Sequence, residues 1–205
     1  MEDDFPYLMR LMEVLGEGAS RHADPAAWDS LEGRLGFSLP EDFKRIIDLY
    51  APVRLNSHLS LFHPATARWN LEEYIVSSAR AWSGDYWEDI EFEGDGHPAA
   101  LLGLPALEFG TAKGLVELVA TDRGGESIFL GRGARAGRWR VFTIRDDECY
   151  EHAMDFSEWL FRYLAGEDVV GPNSAAFYPG PIKFKSLPMS RDDRGTTWYG
   201  PDRGM

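Results

Sequence analysis

The chain predicts an α+β fold, with a central antiparallel sheet flanked by N-terminal helices and a closing C-terminal helix. Three observations carry this. Residues 4–50 repeat apolar side chains at helical spacing, with a stop signal after each run. Residues 115–144 hold three β segments joined by short connections, the pattern of an antiparallel meander. Residues 155–164 form an apolar helical face with a capping pair at one end and Gly166 at the other.

Taken in order, Phe5, Leu8, Met9, Met12 and Leu15 place an amphipathic helix over 4–16, with Asp4 as N-cap and Gly16 and Gly18 ending it. Asp24 and Pro25 supply the cap and first-turn proline of a second helix, whose Trp28, Leu31 and Leu35 share one face. Gly36 takes the positive φ that stops it. Pro40 is expected in the first turn of a third helix, with Glu41 and Asp42 favoured there by the helix dipole. Phe43, Ile46, Ile47 and Tyr50 form the buried stripe of that helix, and Pro52 blocks its continuation. Leu59–Phe62 is a short strand. Asn70 and Glu73 cap a helix with Leu71, Tyr74, Ile75, Ala79 and Trp82 on its apolar face.

Residues 83–99 read as an acidic, aromatic connector with loops around at most a short strand. Strands are expected at Leu104–Phe109, Leu115–Thr121, Ser127–Leu130 and Arg138–Ile144, with a turn at Asp122–Gly125 and a Gly- and Arg-rich loop at Gly131–Gly137. Asp155 and Glu158 cap the closing helix, Met154 and Trp159 have hydrophobic-staple spacing, and Phe156, Trp159, Leu160, Tyr163 and Leu164 face the core. From Gly171 on, five of the twelve prolines make an extended tail that either wraps the domain or is mobile. Its Phe177, Tyr178, Ile182, Phe184, Leu187, Trp198 and Tyr199 argue for wrapping. The expected organisation is one domain over 1–170 with a C-terminal extension over 171–205.

At 205 residues, 44% apolar with seven Trp and twelve Phe, the chain supports one sizeable core. A formal net charge of −13 disfavours nucleic-acid or anionic-membrane binding and suits either solubility or docking onto a basic protein. The single Cys149 allows no intramolecular disulfide, in keeping with a reducing compartment. The acidic start MEDDFPYLMR is unlike a secretory signal, and no apolar run nears the ~20 residues that span a bilayer. A cytoplasmic location is the expectation.

Trp28, Leu31, Glu32, Leu35, Gly36, Leu39, Pro40, Asp42, Phe43 and Tyr50 together resemble the N-terminal signature of the SUKH superfamily. The run Met154–Leu164 is similar to that family's C-terminal helix, so the resemblance frames about residues 20–167. It implies a SUKH-like α+β domain and, for bacterial members, an immunity protein that binds and blocks a cognate toxin, often a nuclease. Fungal members act in cell-wall assembly and signalling. Neither role implies an active site, cofactor or metal.

Two acidic runs stand out: Asp85, Glu88, Asp89, Glu91, Glu93 and Asp95, then Asp146, Asp147, Glu148, Glu151, Asp155 and Glu158. Each reads as a solvated loop, a surface for a basic partner or, without EF-hand spacing, a hard-cation site. Tyr86, Trp87 and Phe92 interleave with the first run and make it the better partner surface, because interface anchors are aromatic. The expected partner-binding set is therefore Asp85, Tyr86, Trp87, Glu88, Asp89, Glu91, Phe92, Glu93 and Asp95. Cys149 and His152, with Glu151, invite a thiol nucleophile; packing is the other reading. His58, His63 and His97 are scattered, and no HExxH, GxSxG or P-loop pattern occurs. Gly131, Gly133 and Gly137 among Arg132, Arg135 and Arg138 read as a hairpin loop rather than a phosphate cradle. The expected function is a non-enzymatic binding protein that occludes a basic toxin domain. A SUKH-fold regulatory or scaffold protein is the alternative, and an enzyme using an acidic cluster the third.

Overall fold

A computed structural model describes residues 5–84, 87, 90–122, 126–132, 137–174 and 181–202. The α+β class holds. The helices are α1 (Pro6–Leu15), α2 (Pro25–Leu35), α3 (Glu41–Tyr50), α4 (Leu71–Trp82), α5 (Pro98–Leu102) and α6 (Phe156–Ala165). The strands are β1 (Val53–Leu55), β2 (Leu59–Leu61), β3 (Glu93–Gly94), β4 (Val116–Thr121), β5 (Glu126–Arg132), β6 (Trp139–Arg145), β7 (Glu148–His152), β8 (Pro181–Ser186) and β9 (Thr197–Asp202). They form one sheet in the order β3-β7-β6-β5-β4-β2-β1-β8-β9. It is mixed rather than wholly antiparallel, because β3 runs parallel to β7.

The local signals act where the sequence places them. Asp24 accepts from the Ala26 amide, Asn70 from Glu73 and Asp155 from Glu158. Gly36 and Gly166 stop α2 and α6 at φ 77° and 85°, where a side chain would be strained. Pro40 differs from expectation: it is the residue before α3, in extended geometry. Asp42 differs more. It is buried, and its carboxylate accepts from the Ser157 amide at 2.7 Å, joining α3 to the first turn of α6. Asp4 and the turn residues 123–125 lie outside the described residues.

Alternation of side chains divides the core between the two faces of the sheet. Ile128, Leu130 and Val141 join Leu11, Trp28, Leu31, Phe43, Ile46, Trp159 and Leu160 beneath α1, α2, α3 and α6. Their neighbours Phe129, Phe142, Ile144 and Cys149 face the other way, against Trp82, Trp87, Leu102 and Phe109 from α4, α5 and the connector.

Three segments depart from the sequence expectation, and the tail follows it. Leu104–Phe109 is not a strand; Pro105 interrupts it, and Phe109 makes only an isolated bridge with Leu115. Gly131 and Arg132 belong to β5 rather than to the loop that follows, and Gly133 to Ala136 lie outside the described residues. The acidic run at 146–152 contains a fourth meander strand, β7, whose Cys149 points inward between outward-facing charges. The tail wraps: β8 pairs with β1, and Ile182, Phe184 and Leu187 are buried.

Candidate functional site

The parallel pairing of β3 with β7 merges the two acidic runs at one edge of the sheet. Glu93 is in register with Glu148 and Gly94 with Cys149. The Glu93 amide donates to Asp147 O at 2.9 Å, the Asp95 amide to Cys149 O at 2.8 Å, and the Glu151 amide returns a bond to Asp95 Oδ2 at 2.8 Å. Glu91, Glu93, Asp95, Asp146 and Asp147 are exposed along this edge. Arg145 binds Glu148 at 2.6 Å and Arg140 binds Glu151 at 2.7 Å, so among the described residues cations balance the inner row and not the outer one. Asp155 and Glu158 are not part of the edge. One caps α6, and the other pairs with Arg162 on that helix.

The aromatic residues of the connector behave differently from the expected anchors. Trp87 is buried, stacks on Phe92 at 5.9 Å and donates its Nε1–H to Trp82 O at 2.8 Å. Phe92 is half-buried in the same cluster. His97 ties the connector down: its Nδ1 accepts from the Ala99 amide, so Nε2 carries the proton toward Trp87 O at 3.2 Å. These rings fasten the connector to the sheet, leaving Glu91, Glu93 and Asp95 as its described solvent-facing acids. Asp85, Tyr86, Glu88 and Asp89 lie outside the described residues.

Thiol chemistry between Cys149 and His152 is excluded by the strand period, which sets residues three apart on opposite faces. Cys149 is packed in the second core with its thiol pushed up to about 12 by burial, Asp95 and Glu151 adding to the effect. His152 Nε2 sits 2.9 Å from Thr143 Oγ1, and burial lowers its pKa. Among the described residues, no group of three or more His, Cys, Asp and Glu is placed to hold a metal ion. No helix of the described residues is long and apolar enough to cross a membrane.

Three buried polar clusters had no signal in the sequence, because their members come together only through the fold. His58 lies between Glu126 Oε2, 3.0 Å from Nε2, and the Tyr163 hydroxyl, 3.2 Å from Nδ1. Asp48 accepts from Trp28 Nε1 at 2.9 Å and from His63 Nε2 at 3.1 Å. The His63 Nδ1 accepts from Ala65, which fixes the tautomer, and burial lowers its pKa. Trp28 of the opening motif therefore serves as both packing and donor.

Glu117 is buried against α4 and accepts from Trp82 Nε1 at 2.8 Å. Burial raises its pKa, against the hydrogen bonds from Trp82, Tyr74, Ser78 and Ser127. A raised folded pKa means that this group favours folding more as pH falls. Glu117→Gln keeps an oxygen for Trp82 and removes the buried charge. Thermal unfolding at pH 7.5 is therefore expected at or above the wild-type temperature, with the wild type gaining on acidification and the variant not. A lower unfolding temperature for the variant at pH 7.5 would show that the charge itself is required. Comparisons with protein-family models, with curated proteins and with solved structures find no match to this chain.

Proposed function

We propose that this chain is a non-enzymatic binding protein that holds a basic protein partner on its acidic sheet edge. We take the partner to be a bacterial toxin domain, neutralised by occlusion of its substrate channel. The observation that carries this reading is the meeting of two acidic runs, more than fifty residues apart in the chain, across β3 and β7. The net charge of −13, the resemblance of the opening and closing motifs to SUKH immunity proteins, and the inward packing of Cys149 support it. Outward carboxylates speed the encounter with a basic surface and make it sensitive to salt.

Affinity capture from the native host with the tagged chain, followed by mass spectrometry, identifies the partner. Stopped-flow association is then compared for wild type and for the combined Glu91→Lys, Glu93→Lys, Asp146→Lys, Asp147→Lys variant. The variant is expected to associate about 10–100-fold more slowly at low salt, with a flattened salt dependence. An unchanged rate places the interface elsewhere. A captured partner without toxic activity sinks the immunity reading and favours the scaffold alternative.

A further inference from the structure

The geometry of β9 points to a second interface: we propose that two copies of this chain pair through the open edge of β9 about a two-fold axis. β9 ends the sheet, and among the described residues nothing pairs with its outer edge. The Ser186 amide donates to Thr196 O at 2.9 Å, and Phe184 is in register with Trp198. By antiparallel alternation, the backbone groups of Trp198 then point toward β8, and those of Thr197 and Tyr199 point outward. Unpaired edge groups of this kind are a template for another strand.

Three features fit a second copy as the occupant. First, an antiparallel pair centred on Tyr199 sets Tyr199 against itself and Trp198 against Gly200 of the other copy. Trp198 and Gly200 are on the face turned toward α1 and Phe184, where Trp198 packs on Phe184 at 4.2 Å. Gly200 lines a hollow of about 340 Å³ with Val14, Leu15, Phe184, Trp198 and Pro201. Val14 O and Ile182 Cβ already lie 3.2 and 3.3 Å from where a side chain on Gly200 would begin, and β9 is bulged between Tyr199 and Asp202, so the partner's indole meets the hollow beside Gly200 rather than the strand position itself. Second, electrostatics favour this edge. Residues 197–201 carry no charge, and Lys183 and Lys185 lie in the adjacent strand. The acidic edge at β3 is eight strand spacings away, about 38 Å, beyond several Debye lengths at physiological salt. Even with Asp202 at the end of β9 and Glu13 lining the hollow, like-charge repulsion between copies is therefore weaker here than at the β3 edge.

Third, the apolar area sets the strength. Trp198 is 37% and Tyr199 65% exposed, among the few exposed large apolar side chains of the described residues. Together they offer roughly 200 Å² per copy, against the ~800 Å² per partner of a standard stable interface. Pro201 also lacks an amide to extend the ladder. The pair is therefore a reversible one, with a dissociation constant on the order of 10–100 μM. It leaves both acidic edges free and makes the assembly bivalent for a basic partner.

Sedimentation velocity of the full chain from about 5 to 500 μM tests this. The weight-average mass should rise from 23.1 kDa toward twice that value. Tyr199→Lys places like charges face to face on the axis and should hold the chain monomeric, with an unchanged circular dichroism spectrum. Thr197→Lys, two positions off the axis, should weaken the association at least tenfold and serves if the first variant folds poorly. Tyr199→Cys should form a disulfide-linked dimer under mild oxidation, because hydrogen-bonded antiparallel partners lie about 5.5 Å apart at Cα. Wild type carries only the buried Cys149 and should not cross-link. A wild-type mass fixed at the monomer throughout, or a dimer indifferent to both lysines that the cysteine does not trap, overturns the proposal.

Discussion

Replacing Asp42 with alanine is expected to be about 2 kcal/mol more destabilising at pH 4.5 than at pH 7.5. Asp42 is 2% exposed, and burial raises its pKa to about 6 against the opposing bond from the Ser157 amide, with the Asp155 charge adding to the rise. Because the folded pKa lies above the unfolded one near 3.8, the folded chain binds this proton more tightly. The wild type therefore gains stability from this group as pH falls through about 6, and the gain is complete below the unfolded value. At pH 7.5 the alanine variant loses an acceptor, leaving the Ser157 amide unsatisfied at a cost of about 1–3 kcal/mol. It also sheds a buried charge worth a similar amount, so the two effects largely cancel. At pH 4.5 only the loss remains. Asp42→Asn separates the two: it retains an oxygen for Ser157 and cannot ionise, so it should match or exceed wild type at pH 7.5 and show none of the acid gain. Urea unfolding from pH 4 to 7.5 measures the difference, and a wild-type-minus-alanine curve that is flat with pH would refute the assignment.

Asp42 also marks the limit of what the sequence discloses. Its place in the Leu39-Pro-Glu-Asp-Phe43 motif is legible, and the helix dipole explains a carboxylate there. Its actual partner is the amide of a residue 115 positions away. Caps such as Asp24, Asn70 and Asp155 were legible because they act within three residues. β1, β3 and β7 were not. Three residues, two residues and an alternation hidden among acids give too little period to separate a strand from a loop. Leu104–Phe109 erred the other way, since apolar content without alternation marks burial rather than a strand. Prolines disguised β8 and β9, which stand at or beside an edge where a missing amide is tolerated. For the candidate site, each acidic run was visible but their union was not, because it depends on the parallel pairing of β3 with β7. The aromatics interleaved with the first run signalled burial of the connector, a reading that spacing alone does not separate from an exposed anchor.

Trp159→Ala is expected to cost about 3–5 kcal/mol, roughly a fifth or more of the stability of a typical domain. Trp159 is fully buried, stacked between Phe156 at 5.9 Å and Tyr163 at 5.7 Å on one face of α6. Phe156 meets Phe43 edge-on at 5.1 Å, so the ring column links the closing helix to the opening motif. The indole also donates to Val169 O at 2.9 Å, fastening the chain where it leaves α6 for the tail. Trp159→Phe keeps the column and removes the donor. It should cost less than the alanine variant, about 1–3 kcal/mol, because Val169 O is left buried and unsatisfied. The two roles are separable by position as well as by magnitude. The Val170 amide, bonded to Ser174 Oγ at 3.2 Å, lies just beyond the released carbonyl. Its hydrogen exchange should speed up in the phenylalanine variant while amides at the centre of β5 and β6 change only with global stability. Unaltered protection at Val170, or an equal loss for both variants, would show that Trp159 acts through packing alone and that the bond to Val169 does not hold the tail.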